Sequence, residues 1–187
     1  YIEYSCKKRG KLDHTLINKY KLFIFLIVLT VISLDQTLKF WVKCNFSLGE
    51  NIFSYGLISF DFVENPGMAF GFSFGSLTSK YLLSLFRVFA VFAIGYYIIK
   101  LIKTNANFIF VCLVSLIFAG AIGNILDNLF YGLIFDSGTT WNEEIGYWVG
   151  YSGISEATFH GYGAFMNGCV VDMIHLVFYW PEWTPFG

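Results

Sequence analysis

Three long apolar segments constrain this chain more than any other feature of its sequence. They cover about residues 21–42, 81–102 and 108–126. A helix that rises about 1.5 Å per residue needs about 20 residues to cross the hydrocarbon core of a bilayer. Only 13% of the 187 residues are charged, which is too few to cover a water-soluble domain of this size. The sequence therefore predicts a membrane all-α bundle with three transmembrane helices.

The charged residues are distributed unevenly, and their distribution predicts the orientation in the membrane. All twelve Lys and Arg residues lie at or before Lys103, whereas seven of the thirteen acids lie from Asp127 onward. Cytoplasmic segments carry an excess of Lys and Arg, so the basic tail of residues 1–19 and the link between the second and third spans are expected inside. Residues 20–187 are expected to form one membrane domain. A C-terminal part without basic residues also argues against nucleic-acid binding.

A secretory signal peptide is a rival interpretation of the first span, because a basic segment precedes its apolar run. No small-residue cleavage site follows that run, and Asp35 and Lys39 stand in its place. Both interpretations leave the N-terminus in the cytoplasm.

The segments expected outside differ in pattern. Residues 50–75 combine strand-like alternation over residues 58–63 with the turn signal Asn65-Pro66-Gly67, which predicts a small extracytoplasmic sheet on the membrane surface. Residues 136–168 are rich in Gly, Trp and Tyr without a helical period, and we interpret them as an aromatic insertion near the headgroups. The apolar stretch over residues 169–180 is too short to span a bilayer.

Ionisable residues in or beside the spans are costly in lipid, so each is a candidate functional residue. Asp35 and Lys39 lie four residues apart on one helix face, where an interfacial ion pair is the simpler explanation. Asp127 follows the third span, with Asn124 one turn earlier, and hydrogen-bonded helix termination explains it equally well. Arg87 lies about 9 Å into the second span and either neutralises one of these acids or extends towards water.

The predicted topology gathers Asp35, Asp127 and Asp172 at one depth, in the outer leaflet or at its surface. Carboxylates at one depth in a low-dielectric medium repel each other, so one stays protonated while another ionises. An aspartic hydrolase uses this state to activate water with one acid and to protonate the scissile carbonyl oxygen with the other. Serine-nucleophile, His-Glu-x-x-His, Walker and dinucleotide motifs are absent from the sequence, so no metal or cofactor is expected. His175 is interpreted as an interfacial ring rather than a ligand.

Four short motifs occur along the chain at positions that agree with this topology. They are Asp35-Gln36-Thr37-Leu38-Lys39, Asn65-Pro66-Gly67-Met68-Ala69-Phe70, Gly123-Asn124-Ile125-Leu126-Asp127-Asn128 and Val170-Val171-Asp172-Met173. In the same order they resemble the Asp-x-x-x-Lys, Asn-x-Gly-Ala-Ala-Phe/Trp, Gly-Asn-x-x-Asp-Arg and Val-Val-Asp-Phe motifs of the lipoprotein signal peptidases. The match to these type II signal peptidases, aspartic peptidase family A8, covers about residues 20–187.

The resemblance implies an activity and a set of site residues. Asp172 would be one member of a catalytic aspartate pair. Supporting or substrate-binding positions would be Asp35, Lys39, Asn65, Gly67, Asn124 and Asp127. The enzymes of this family remove signal peptides from diacylglyceryl-modified prolipoproteins before the lipid-bearing cysteine, at the outer face of the bacterial inner membrane. Membrane lipids and globomycin-type inhibitors would be further partners.

The chain departs from the family pattern in three ways. Asn128 stands where the family usually has Arg, so a charge near the catalytic pair is lost or is supplied by Arg87. The interval from Asp127 to Asp172 is unusually long, which indicates the Bacteroidetes-like form with an aromatic insertion. The 187 residues lack the Phe-Asn-x-Ala-Asp motif that holds the second catalytic Asp and opens a fourth span. We therefore expect a chain truncated at its C-terminus that is inactive or impaired as a peptidase.

The competing hypothesis is a non-enzymatic membrane protein, a three-span binding or scaffold protein whose acids form interfacial pairs. It predicts that Asp172→Asn and Asp127→Asn leave function intact and that globomycin does not bind.

Overall fold

The computed structural model describes residues 14–67 and 77–176, which form three helices and five strands. The helices are α1 (His14–Lys43), α2 (Leu77–Lys103) and α3 (Phe108–Ile134). The strands are β1 (Asn51–Tyr55), β2 (Ile58–Asn65), β3 (Thr140–Asn142), β4 (Tyr147–Val149) and β5 (Val170–Leu176).

All three helices are long and apolar enough to cross a membrane. The apolar segments are Asn18–Lys43 in α1 and the full lengths of α2 and α3, with 26, 27 and 27 residues. Together with the small sheet, they confirm the predicted fold class of a helical membrane protein with a small β element.

The link between α2 and α3 is short, and local hydrogen bonds define both of its ends. After α2, the N–H of Ala106 bonds to the carbonyl oxygen of Leu101, and Asn105 adopts φ +55°. Asn tolerates this left-handed conformation better than most residues, and it is common just after a helix. The side-chain oxygen of Asn107 then accepts the N–H groups of Ile109 and Phe110, as expected of a helix N-cap.

The chain divides into two compact units. The first consists of Tyr1–Gln36 and Phe86–Gly123 and therefore contains parts of all three helices. Its buried cluster joins side chains from the three helices, namely Ile24, Ile98, Leu101 and Val111.

The second unit consists of Thr37–Leu85 and Asn124–Gly187. It contains the helix segments that complete α1, α2 and α3, together with all five strands. Its buried cluster is formed by Val42, Phe62, Tyr131, Phe135 and Val171.

The main sheet of the second unit has three antiparallel strands in the order β1-β2-β5. The predicted strand segment at residues 58–63 lies within β2, which pairs with β1 across a turn at Gly56, where φ is +58°. Strand β5 comes from the apolar stretch that was too short to span a bilayer, and residues 177–180 of that stretch lie outside the described residues. In the register, Val63 pairs with Asp172 and Asn65 pairs with Val170.

The aromatic insertion at residues 136–168 contains a short hairpin formed by β3 and β4. The rings of Trp141 and Trp148 pack edge to face across this hairpin, with centroids 5.5 Å apart. A bridge between Phe135 and Ala157 joins the end of α3 to the insertion. The expected position of the insertion near lipid headgroups stays a prediction.

The hypothesis that Asp127 terminates the third helix is wrong, because it required α3 to end near Asp127. The helix runs on to Ile134, so Asp127 lies about two turns before its end. The additional turns are stabilised because they bury Tyr131, which packs with Phe135 and Phe40. Asp127 therefore needs a different explanation.

Gly168 provides a test of the packing between the insertion and α3. It is buried, and a Cβ atom at this position would collide with the backbone carbonyl oxygen of Asp127. We expect Gly168→Ala to lower the free energy of unfolding by about 1–3 kcal/mol, measured by urea titration in detergent micelles. Gly120→Ala is the control, because a Cβ atom there meets nothing within 4 Å. Equal stability of the two variants would contradict the described packing.

Candidate active site

The structure brings together Asp172 and Asn65, which are 107 residues apart in the sequence and belong to two different motifs. Asp172 lies in β5 and is exposed, and its carboxylate accepts a hydrogen bond of 3.1 Å from Nδ2 of Asn65 in β2. The antiparallel pairing of β2 with β5 produces this contact. The amide thereby orients a carboxylate that remains accessible.

The Asn65 side chain is itself held by the turn that follows β2. Its Oδ1 atom accepts the backbone N–H of Gly67 at 2.8 Å, which leaves Nδ2 to donate to Asp172. Gly67 has φ +122°, a conformation that residues with a Cβ rarely adopt. The Asn-Pro-Gly sequence therefore fixes the direction of the Asn65 amide.

Asp127 and Lys39 form a buried ion pair between α3 and α1. Their N···O distance is 2.7 Å, and the side chains are 0% and 4% exposed. Lys39 also donates to Oδ1 of Asn124 at 2.9 Å. Removal of either member would leave an uncompensated buried charge, which is strongly destabilising. The expected pairing of Lys39 with Asp35 stays a prediction.

The buried pair also contacts the strand that carries Asp172. Oδ2 of Asp127 accepts the backbone N–H of Val171 at 3.3 Å. Asp127 therefore contacts the residue immediately before Asp172 and helps to fix the position of β5.

Asn128, which replaces the usual Arg of the family motif, is buried and fully engaged. Its Oδ1 atom accepts the hydroxyl of Ser84 at 2.7 Å, and its Nδ2 atom donates to the carbonyl oxygen of Gly168 at 3.1 Å. The amide thus joins α2, α3 and the end of the insertion. Arg87 belongs to the first unit, and its compensation for the missing charge stays a prediction.

Asp35 also belongs to the first unit, where it lies against α3. Its carboxylate accepts a hydrogen bond of 3.0 Å from Gln36, which also donates to the carbonyl oxygen of Gly123. A Cβ atom at Gly123 would collide with this carboxylate. The glycine of the Gly-Asn motif therefore permits the close approach of Asp35.

A second buried ion pair, formed by Lys43 and Glu64, was missed by sequence reasoning. The side chains are 0% and 1% exposed, and they join the end of α1 to β2. Two sequence signals point to them. Lys43 follows Lys39 at the helical interval of four residues, and Glu64 directly precedes Asn65.

Lys80 is a further buried cation that the sequence did not single out. It donates to the carbonyl oxygen of Asn167 at 2.7 Å, lies 3.8 Å from the sulfur of Cys169 and sits 5.0 Å from the Trp148 ring centroid. Burial raises the pKa of the Cys169 thiol to about 11, which keeps the thiol protonated and unreactive at neutral pH.

His175 lies on the opposite face of the sheet from Asp172, since the two are three residues apart in one strand. It is exposed, and its Nδ1 atom lies 2.9 Å from Oδ2 of Asp61. Hydrogen bonds from Asn51, Ser59 and His175 lower the pKa of Asp61. The stabilisation from Asp61 is therefore present above its usual pKa and is lost as the pH falls through the lowered value.

The arrangement is suited to acid–base chemistry at Asp172. Asp172 is accessible and oriented, whereas Asp127 is buried and neutralised by Lys39. An accessible, oriented carboxylate can exchange protons with water and substrate. A buried carboxylate that is paired with a lysine instead stabilises the packing around it. Among the described residues, no group of three or more His, Cys, Asp or Glu side chains is placed to hold a metal ion.

Removal of Lys39 tests whether the buried pair supports the fold. We expect Lys39→Met to lower the free energy of unfolding by about 3–5 kcal/mol, because the buried Asp127 carboxylate would lose the opposite charge of Lys39. In the double variant Lys39→Met/Asp127→Asn, most of this loss should be regained, as measured by urea titration in detergent. A double variant no more stable than Lys39→Met would show that the cost does not come from an unpaired charge.

Comparisons with known proteins agree with the motif resemblance. The family model described as signal peptidase (SPase) II matches residues 27–187. The chain is 39% identical over 170 residues to the lipoprotein signal peptidase of Porphyromonas gingivalis, which covers 89% of this chain and 69% of the relative. It is 32% identical over 170 residues to the lipoprotein signal peptidase of Amoebophilus asiaticus, covering 86% of this chain and 63% of that relative.

A third relative, the lipoprotein signal peptidase of Fusobacterium nucleatum, is 34% identical over 116 residues, or 62% of this chain and 66% of its own length. No solved structure gives a significant match. The family match extends from the first span through the sheet that holds Asn65 and Asp172. The chain is a multi-pass membrane protein that belongs to the signal peptidase II family.

Proposed function

We propose that this protein is a membrane aspartic endopeptidase that removes signal peptides from diacylglyceryl-modified prolipoproteins. Asp172 would supply one carboxylate of the catalytic pair, and cleavage would occur just before the lipid-bearing cysteine. Supporting or substrate-binding positions would be Asp35, Lys39, Asn65, Gly67, Asn124 and Asp127.

The observation that carries the proposal is the hydrogen bond between Asn65 and Asp172. It joins the two motifs of the family that lie in the sheet, and it leaves the carboxylate exposed. A purely structural acid in a membrane protein is expected to be buried and paired, as Asp127 is. The exposure of Asp172 therefore favours a role in which it meets a substrate.

The chemistry follows from two carboxylates in opposite protonation states. The ionised acid removes a proton from a water molecule, whose oxygen attacks the scissile carbonyl carbon. The protonated acid donates its proton to the carbonyl oxygen, which would otherwise carry the developing negative charge. The hydrogen bond from Asn65 fixes the orientation of the Asp172 carboxylate for one of these roles.

The orientation expected for the chain fits a substrate that is cleaved at the outer face of the inner membrane. Two lysines at the end of α2 and the basic residues before α1 favour a cytoplasmic location for these segments, by the positive-inside rule. The sheet and the insertion would then lie at the outer face of the inner membrane, in contact with lipid headgroups. A lipid-modified cysteine is held at that depth by its own acyl chains.

Substitution of Asp172 tests the proposal directly. The protein expressed from its complete gene is incubated in detergent with a diacylglyceryl-modified prolipoprotein, and the products are identified by mass spectrometry. We expect cleavage before the modified cysteine, and a loss of at least about a thousandfold in rate for Asp172→Asn, because an amide cannot transfer the proton. Globomycin should inhibit the cleavage.

Asp61→Asn is the matched control, since Asp61 lies on the same sheet and is bonded to His175 rather than to Asn65. It should cleave at the rate of the unsubstituted protein. Full activity of Asp172→Asn would refute the assignment. The absence of any cleavage together with no binding of globomycin would favour the non-enzymatic hypothesis.

Residues 1–187 alone are expected to be inactive or impaired. Aspartic chemistry needs two acids, and in the described part of the second unit Asp127 is neutralised by Lys39 and Glu64 by Lys43. The purified 187-residue chain is tested with the same precursor. Turnover that disappears in Asp172→Asn would show that one of the carboxylates in this chain completes the pair, and the expectation would be wrong.

A further inference from the structure

The buried pair of Lys43 and Glu64 has many contacts within the described part of the second unit. The Lys43 ammonium group donates to Glu64, to the carbonyl oxygen of Ser137 at 3.0 Å and to the hydroxyl of Tyr151 at 3.1 Å. An ammonium group has three donors, and all three are used. The group is therefore held in one position.

Aromatic rings surround the same ammonium group. The Nζ atom of Lys43 lies 4.7 Å from the ring centroid of Tyr151, 4.9 Å from that of Phe135 and 5.7 Å from that of Tyr162. A cation at these distances is attracted by the negative face of each ring. Burial raises the pKa of both tyrosines well above the usual range, so their hydroxyl groups stay neutral.

Most of these contacts come from the aromatic insertion. Ser137, Tyr151 and Tyr162 belong to residues 136–168, and the backbone N–H of Thr139 donates to the second oxygen of Glu64 at 2.6 Å. The insertion thus binds both members of the pair, the lysine at the end of α1 and the glutamate in β2. Its first residues cannot move without breaking contacts to a buried charge.

Glu64 transmits this restraint to the catalytic carboxylate. It precedes Asn65 in β2, and it pairs in register with Val171, the residue before Asp172. Neighbouring side chains of a strand point to opposite faces, so Glu64 is buried while Asn65 points to the face of Asp172. The contacts of the Glu64 side chain on the buried face of the sheet therefore also restrain the backbone of Asn65, whose side chain donates to Asp172.

We propose that Lys43 and Glu64 are positioning residues through which the aromatic insertion holds Asn65 against Asp172. This inference rests on the proposed function, since it assigns the insertion a part in the same catalytic site. The role assigned to Lys43 and Glu64 goes beyond stabilisation of the fold. Replacing both members of a buried ion pair by apolar residues is often neutral for stability, so positioning and stability can be separated experimentally.

The experiment compares Glu64→Gln, the double variant Lys43→Met/Glu64→Met and Tyr151→Phe. Controls are the exposed hairpin variants Glu144→Gln and Tyr147→Phe, which make the same chemical changes away from the pair. Cleavage of the lipid-modified precursor is measured as kcat and KM, with the protein from its complete gene. We expect Glu64→Gln and the double variant to lower kcat by about tenfold or more and to leave KM within about twofold.

Tyr151→Phe removes one acceptor of the lysine but leaves Lys43 paired with Glu64, so we expect this variant to fold. It should lower kcat by about threefold, whereas Tyr147→Phe should not change it. This variant keeps the proposal testable if the substitutions of the charged pair fail to fold.

A second readout does not depend on turnover. The side-chain amide of Asn65 is observed by NMR after selective ¹⁵N labelling of asparagine and is assigned with Asn65→Ala. Its two protons should have well separated shifts when Nδ2 donates to Asp172, and the shifts should converge in Glu64→Gln. The Glu144→Gln control should keep the original signals.

Two results separate this inference from the proposed function. Folded Glu64→Gln and Tyr151→Phe proteins with an unchanged kcat and unchanged Asn65 signals would overturn the inference, even if Asp172→Asn is inactive. Full activity of Asp172→Asn would overturn the proposed function, whereas a change of the Asn65 signals in Glu64→Gln would still support the coupling.

Discussion

The neutralisation of two buried lysines at the end of the first helix determines the arrangement of the second unit. Lys39 and Lys43 lie one turn apart, and each needs a carboxylate because an unpaired buried charge is strongly destabilising. Lys39 forms an ion pair with Asp127 in α3, and Lys43 forms one with Glu64 in β2. The first helix is thereby joined both to another helix and to the sheet, at two defined points.

Both pairs contact the two strands, β2 and β5, that bring Asn65 to Asp172. Asp127 accepts the N–H of Val171 in β5, and Glu64 lies beside Asn65 in β2. The buried charges are therefore held by ion-pair partners. Asp172, in contrast, remains exposed, and among the described contacts its carboxylate accepts a side-chain hydrogen bond from the Asn65 amide. Such a division is suited to a site in which one carboxylate reacts and its surroundings stay fixed.

Much of this structure could be predicted from the sequence, because a membrane restricts the possible elements. Only helices and closed barrels satisfy every backbone group in lipid, so long apolar runs identify the spans. The strand at residues 58–63 followed from its alternation, whereas β5 did not, because its first two residues, Val170 and Val171, are both buried and do not alternate. The motifs also identified Asp172 and Asn65 as candidates before their contact was known.

The ion pairs could not be predicted from local spacing. The structure pairs Lys39 with Asp127, which lies 88 residues away in another helix. The sequence does not identify Lys43 and Glu64 as partners of each other, because they lie 21 residues apart in different elements. Partners brought together by tertiary packing leave no regular interval in the sequence.

The proposed action of the buried Glu64 on catalysis through Asn65 is tested most directly by a double-mutant cycle in kcat for Glu64→Gln and Asn65→Ala. We expect the double variant to be no slower than Asn65→Ala alone, because the residue through which Glu64 acts has already been removed. Independent effects, in which the two losses multiply in the double variant, would contradict it.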